Sequence, residues 1–507
     1  MRSKKALYNI GTNLVLQIIM VIYGFVVPKI IISKFGSNVN GLVSSITQFL
    51  GYISLLESGF GPVVKAALYK PIAKNDKDSI GSILKTSENF FKRIAYIFII
   101  YIFILAMLYP LIINSNFEYI YTVSLILIIS ISIFSEYYFG MTYKLYLQAD
   151  QKNYVISLIQ IITYILNIIF VIILARVSNS IHIIKLVTCI IFVLRPIFQN
   201  LYVKKKYNIN LKDNIDKYEL KNKWDGLAQH IAAVIHTNTD VTILTFFCTL
   251  AEVSVYSVYY LVVKGVKSII QAFTNGIGAL FGNMLAKKEM DNLNKKFDIF
   301  EVFYNMIITI IFSCTLVLIV PFVSVYTKNI TDANYIRYTF GYLIVISELV
   351  WAIRLPYSSI TLAAGHFKET RIGAWFECLS NIVISLVLVI KFGIVGVAIG
   401  TIIAMTIRTF EFVYHTNKHI LNRTTIMSIN KIVLIIIETL MVVFISNYLP
   451  MLNNTNYLNW GINAIMTFAL SSIIVLIMNF LFYRKQLVEF IHILKNILKR
   501  KKKAWKK

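Results

Sequence analysis

The chain has 507 residues, 57% of them apolar and only 15% charged, with a mean hydropathy of +0.70. A soluble domain is nearer 25% charged and cannot hide so much apolar surface in one core. At roughly 20 residues per crossing, the apolar fraction is enough for about 14 membrane spans. That excludes a soluble enzyme, a disordered chain and a secreted disulfide scaffold. The net charge of +26, from 50 Lys and Arg against 24 Asp and Glu, points in a membrane protein to positive-inside topology and anionic lipid rather than nucleic acid.

The opening Met1-Arg2-Ser3-Lys4-Lys5 leads into an apolar stretch longer than a signal-peptide core, with no A-x-A site, so the first helix is expected to stay in the mature protein. Fourteen apolar runs follow in order: 6–33, 40–68, 90–113, 119–143, 153–175, 181–203, 227–249, 253–285, 298–325, 335–362, 370–390, 393–415, 430–449 and 457–483. They are numbered spans 1 to 14 below. Backbone in lipid must satisfy its own hydrogen bonds, so each run reads as a helix.

Thirty-eight Lys and Arg fall in the two ends and alternate loops, five (Lys34, Arg176, Lys328, Arg337, Lys391) in the others, and seven within spans. That bias predicts an even number of spans with both termini cytoplasmic. The segment Ile72-Ala73-Lys74-Asn75-Asp76-Lys77-Asp78-Ser79-Ile80 after span 2 resembles Leu285-Ala286-Lys287-Lys288-Glu289-Met290-Asp291-Asn292-Leu293 after span 8, an offset of 213 residues or six spans. Six is even, so the halves share an orientation and form parallel repeats. The expected fold is therefore an all-α integral membrane protein of about 14 transmembrane helices. Its organisation is an N-terminal lobe 1–203, a cytoplasmic linker 204–226, a C-terminal lobe 227–416, two extra spans within 417–483 and a tail 484–507. In the tail, Leu487, Phe490, Ile491, Leu494, Ile497 and Leu498 share one face ahead of Lys499-Arg500-Lys501-Lys502-Lys503. This pattern predicts an amphipathic helix on anionic lipid.

Charges inside the bilayer cost roughly 2.5–3.5 kcal/mol each and mark function. In span 8, Tyr256, Tyr260, Lys264, Lys267, Gln271 and Asn275 recur at helical spacing as one face with two cations in it. Span 1 places Asn9, Asn13 and Gln17 on one face, span 2 aligns Ser54, Glu57, Gly61 and Lys65, and span 7 sets His236 and Asp240 a turn apart. The functional reading is a polar, net-cationic cavity between two lobes: Lys binds phosphate as a point charge, and Tyr, Asn and Gln suit sugar hydroxyls. The plainer reading is that Glu57 and Lys65 are neutralised by neighbours and hold helices together. Lys185 and Arg195 in span 6 either face the cavity or snorkel. Glu136, Glu348, Glu377, Arg408 and Glu438 are ion or proton couplers, or interhelical pairs. Pro28, Pro62, Pro196 and Pro356 are candidate hinges or tolerated kinks. Cys189, Cys248, Cys314 and Cys378 form no CxxC pair, so neither disulfide nor metal site is expected. No nucleotide loop, HExxH or nucleophile elbow is present; Gly81-Ser82-Ile83-Leu84-Lys85-Thr86 lacks the second glycine and the spacing. Catalytic residues, metal and cofactor are all expected to be none.

Asn9-x3-Asn13-x3-Gln17 with Pro28, Phe35-Gly36-x4-Gly41-Leu42, Leu55-Leu56-Glu57-x-Gly59-x-Gly61, Asn238-Thr239-Asp240 and Val253-x2-Tyr256-Ser257-x2-Tyr260 together resemble the bacterial oligosaccharide/polysaccharide flippases. These O-antigen flippase-like proteins belong to the multidrug/oligosaccharidyl-lipid/polysaccharide exporter superfamily. The resemblance covers most of the chain. It implies two six-helix lobes around a central cavity in the bacterial cytoplasmic membrane. It also implies alternating-access translocation of undecaprenyl-pyrophosphate-linked oligosaccharide for surface polysaccharide biosynthesis. Lys264, Lys267 and Lys65 fall to the pyrophosphate. The family places Arg in spans 1 and 2, where this chain has Asn, Gln and Lys. Energy would come from H+ or Na+ through Asp240, Glu57 or His236, or from the membrane potential. Two rivals are a multidrug cation antiporter of the same superfamily, which wants an acidic aromatic cavity, and a membrane polysaccharide polymerase or ligase, which wants a large outer loop.

Overall fold

The computed structural model describes residues 2–57, 59–113, 117–207, 227–274 and 277–505; the side chains of residues 2–7 and 493–505, and of several positions in spans 7 and 8, lie outside the description. All the regular structure among the described residues is helical. Twelve helical stretches there are long and apolar enough to cross a membrane. The first, Tyr8–Leu56, has 49 residues, about 74 Å of helix at 1.5 Å per residue and so two crossings. The bend between them is at Gly36. Leu227–Phe247, the expected span 7, is helical as well but is not among those twelve stretches; the chain is a multi-pass membrane protein.

Gly36 has φ 85° and ψ 171°, a region open to glycine alone. A Cβ there would lie 2.8 Å from Asp332 Oδ2. The Asp332 carboxylate instead accepts from the Ser37 N–H (2.6 Å) and hydroxyl (2.8 Å). This docks the loop after span 9 onto the turn between spans 1 and 2. Gly41 serves a different purpose: an added Cβ would sit 1.8 Å from the Leu250 carbonyl oxygen. Lipid provides no hydrophobic drive for helix association, so close backbone approach at small residues supplies the attraction.

The six-span repeat is legible in the turns. After span 2, Asn75 takes φ 52°, with its N–H on Ile72 O (3.3 Å) and the Asp76 N–H on Pro71 O (3.0 Å). After span 8, at an offset of 213, Lys288 takes φ 57°, with its N–H on Leu285 O (3.0 Å) and the Glu289 N–H on Met284 O (3.0 Å). Both are left-handed helix ends that satisfy orphan carbonyls. The next residue repeats as well: Asp76 accepts from the Ser79 N–H and hydroxyl, and Glu289 accepts from Asn292. Ser79 holds the Asp76 carboxyl below its usual range. After spans 4 and 10 the same ending recurs at Gln151 and Gly365.

The chain forms two compact units, Met1–Val258 with Asn329–Ala333, and Tyr259–Lys328 with Asn334–Lys507. The division between these units falls inside span 8; the expected linker 204–226 lies mostly outside the described residues. Span 7 groups with the first unit because span 2 holds it by a polar ladder. Ser45 bonds Thr245 (2.6 Å), Tyr52 bonds Thr242 (2.9 Å), and Gln48 donates to Asn238. Asn40 adds a bond to Ser254 (2.8 Å) at the start of span 8.

Spans 13 and 14 and the tail belong to the second unit. The last helix, Tyr457–Trp505, bends at Tyr483, and the tail's first apolar turns pack on span 9. Phe490 stacks on Phe303 at 3.9 Å, Leu487 joins Val302, Met306 and Val475, and Gln486 donates to Asp298 (2.9 Å). The expected lipid-facing stripe is thus partly a protein contact, because span 9 offers a matching apolar face; the basic end lies among side chains outside the description.

Candidate functional site

In the first unit span 2 is interrupted. A tight turn of helix, Tyr52–Leu56, gives way at Glu57, and helix resumes at Phe60 after Gly59 at φ 73°. Glu57 therefore sits at a helix break, faced by the Tyr137 hydroxyl, Lys144, His230 and Glu136. Span 4 supplies that wall through a single π turn, Glu136–Gly140, a local widening that re-aims side chains and concentrates at functional sites. Lys144 closes on Glu136 at 2.7 Å, so Glu136 is paired within span 4 rather than across helices. Lys65, two turns beyond Glu57, is half-buried and makes no ion pair among the described residues.

Asp240 is buried and accepts from the Tyr256 hydroxyl at 2.9 Å. The structure thus brings together one residue expected to couple ions and one expected to bind sugar, and the hydroxyl of Tyr256 is committed to the carboxylate. Asn13 and Gln17 are exposed on span 1 with no hydrogen bond among the described residues. Asn9 is occupied: it donates to Gln151 O (2.9 Å) and accepts from the Tyr154 N–H (2.8 Å), clamping the turn between spans 4 and 5. Arg195 donates to Thr163 (2.7 Å) and stacks over Phe192 and Tyr164, its guanidinium carbon 3.9 and 4.2 Å from their ring centres.

In the second unit the two span-8 lysines differ. Lys264 is exposed and makes no ion pair among the described residues. Lys267 is half-buried, its Nζ 2.9 Å from Glu348 Oε2 and 4.2 Å from the Trp351 ring centre. Its charge is met by span 10, which leaves Lys264 as the open cation of that stripe. Gln271, two turns on, is exposed; Tyr260 is half-buried. Asn275 and the side chain of His236 lie outside the described residues. Glu377 pairs with Arg354 (2.6 Å) and Arg408 (3.6 Å), and Arg408 also holds Glu411 and Thr370 O.

The sequence reading passed over a buried ionic cluster in this unit. Glu301, fully buried at 0% exposure, accepts from Arg423 (2.7 Å), Lys431 (2.6 Å), Ser428 (2.7 Å) and Tyr357. Asp298 completes it through Lys431 and Arg423. The signal was weak because these residues sit at span ends, where charges look solvated. Lys144 escaped notice for the same reason.

No protein-family description matches the chain, and no curated protein sequence does. Solved structures do match. The lipid II flippase MurJ, in an inward-closed conformation, superposes with a TM-score of 0.70 at 16% identity, covering 95% of this chain and 100% of that one. An inward-facing multidrug-resistance MATE transporter of the MOP superfamily gives 0.62 at 13% identity, over 78% and 94%. A MOP-superfamily transporter from Pyrococcus furiosus, noted for a binding pocket of reversed polarity, gives 0.55 at 14% identity, over 83% and 95%. The fold is that of these transporters.

Proposed function

We propose that the chain is a flippase that moves undecaprenyl-pyrophosphate-linked oligosaccharide across the bacterial cytoplasmic membrane by alternating access, with both termini cytoplasmic. The observation that carries this reading is the reach of the MurJ likeness: it extends over 95% of the chain, whereas the MATE likenesses cover 78–82%. A lipid II flippase handles a lipid-linked substrate, and the larger coverage leaves room for spans 13 and 14. The open cation Lys264 supports an anionic headgroup, since a free ammonium on an intramembrane helix is costly without a counter-charge. Lys65 is the corresponding candidate in the first unit, and Asn13, Gln17 and Gln271 offer exposed amides for hydroxyls. Lys267, already met by Glu348, orients rather than binds. Asp240 and Glu57 are the carboxylates placed to respond to an ion.

The test is reconstitution. Full-length protein in liposomes should expose an undecaprenyl-pyrophosphate-linked oligosaccharide to a glycan-modifying enzyme added outside, and Lys264→Ala should slow exposure at unchanged protein level. Failure to expose it, together with resistance to cationic drugs in an efflux-deficient strain, would replace this reading with a multidrug antiporter.

A further inference from the structure

Among the span carboxylates singled out from the sequence, Glu136, Glu348 and Glu377 each close on a lysine or arginine. Glu438 in span 13 does not. It is 1% exposed, and no cation lies within ion-pair distance among the described residues. Its surroundings are polar and neutral. Asn479 of span 14 donates to Glu438 Oε1 at 2.6 Å and uses its other hydrogen on Val475 O at 3.0 Å. Thr309 of span 9 meets the carboxyl, but its own hydrogen goes to Asn305 O at 2.8 Å. With that hydrogen spent, Thr309 keeps lone pairs that a protonated Glu438 meets by donating. A carboxylate so enclosed, with one amide donor and no counter-charge, would carry a heavy desolvation cost.

The site lies in a continuous polar seam. Span 9 buries Glu301, Asn305, Thr309 and Ser313 at intervals of four. Span 14 buries Asn463, Thr467, Ser471 and Asn479 on one face, about 24 Å of helix at 1.5 Å per residue. Span 13 contributes Thr439, bonded to Ser313 at 3.3 Å. Ionisable residues set within the membrane mark ion and proton paths. One member is unspent: the Asn305 Nδ2, on the same face of span 9 a turn from Thr309, is buried with no hydrogen-bond partner among the described residues. It is a donor in reserve for the carboxylate. The titratable groups facing Glu438 are few. Lys431 and Glu301, each about two turns away along spans 13 and 9, are bonded to one another. Tyr483, a turn beyond Asn479 on span 14, also senses the carboxyl.

We propose that Glu438 is an exchangeable proton site at the centre of a seam through spans 9, 13 and 14, making protons a driving ion of this transporter. Protonated, it donates to Thr309; on release of the proton the carboxylate keeps Asn479 and gains the Asn305 amide, and the proton leaves along the seam. The proton site stands independently of the substrate; the coupling rests on the transport function proposed above.

The test uses full-length protein in lipid nanodiscs and a fluorescent carbodiimide, which reacts with protonated carboxyls in apolar surroundings. Label should map to Glu438 at neutral pH, diminish in alkali, and vanish in Glu438→Gln; Glu438→Asp keeps a titratable group and should keep pH-dependent label. Infrared difference spectra across the same pH step should show loss of a protonated-carboxyl band that Glu438→Gln lacks. Absence of label at Glu438, or a band unchanged in Glu438→Gln, overturns the site. In liposomes a pH gradient should quicken translocation by the wild type and leave Glu438→Gln indifferent; equal responses overturn the coupling. Wild-type liposomes that translocate nothing would count against the flippase reading alone, because label and band still report the proton.

Discussion

Replacing Glu301 by glutamine is the sharpest probe of how this helical bundle tolerates charge. Glu301 and Asp298 balance Arg423 and Lys431, and Glu301 itself is 0% exposed with Arg423 at 2.7 Å and Lys431 at 2.6 Å. The substitution preserves shape but leaves one positive charge in excess, and it turns a donor toward Arg423 and Lys431, which can only donate. Breaking a buried pair from one side costs about 3–5 kcal/mol, roughly a hundred- to several-thousand-fold in the folding equilibrium. Unfolding of the purified protein in mixed micelles by titrated SDS, followed by tryptophan fluorescence, measures it. The control is Glu301→Gln with Lys431→Met, which restores neutrality around Asp298 and Arg423, 3.6 Å apart. It should recover more than half the loss, as expected for neighbours that couple. A Glu301→Gln protein within about 0.5 kcal/mol of wild type, the size of an ordinary surface change, would refute the reasoning, as would a double variant whose losses simply add.

Four further outcomes follow from particular contacts and backbone conformations. Gly41→Val puts a side chain where even a Cβ lies 1.8 Å from the Leu250 carbonyl. It should destabilise by about 1–3 kcal/mol or more and block the disulfide otherwise obtained between Asn40→Cys and Ser254→Cys, whose native side chains meet at 2.8 Å. Lys264→Ala should slow glycan-lipid exposure in liposomes by about tenfold or more, the worth of a hydrogen bond to a charged group. Lys267→Met combined with Glu348→Gln should cost less than Lys267→Met alone, because the pair at 2.9 Å is removed together. Lys288→Gly should stabilise by about 1 kcal/mol by relieving a left-handed residue at φ 57°, and Gly365→Lys should destabilise by a similar amount at φ 82°; thermal unfolding of each reads the sign.

The spans were legible because lipid imposes one rule on every crossing, that backbone groups pair within the segment. Among the described residues each run is helical for that reason, span 2 apart from its break at Glu57–Gly59. The repeat was legible too: a polar loop such as Asn75-Asp76 or Lys288-Glu289 must end one helix and begin the next, and the same backbone solution serves both. The span-8 stripe was half legible. Helical spacing aligned Lys264 with Lys267, but spacing along one helix says nothing of what the neighbouring helix presents. Glu348 lies 81 residues beyond Lys267 in the chain, and no local pattern links them.

Composition and periodicity alone thus dictated a membrane-spanning, all-helical chain with an internal repeat, since hydrophobic length and hydrogen-bond closure are properties of single segments. Which charges are open and which are cancelled was decided only when helices packed. Lys264 stayed uncovered while Lys267 met Glu348, Tyr256 turned to Asp240, and Glu438 found amide and hydroxyl instead of a cation. Electrostatic fate depends on distances of a few ångströms between distant residues, and those distances exist only in the assembled fold.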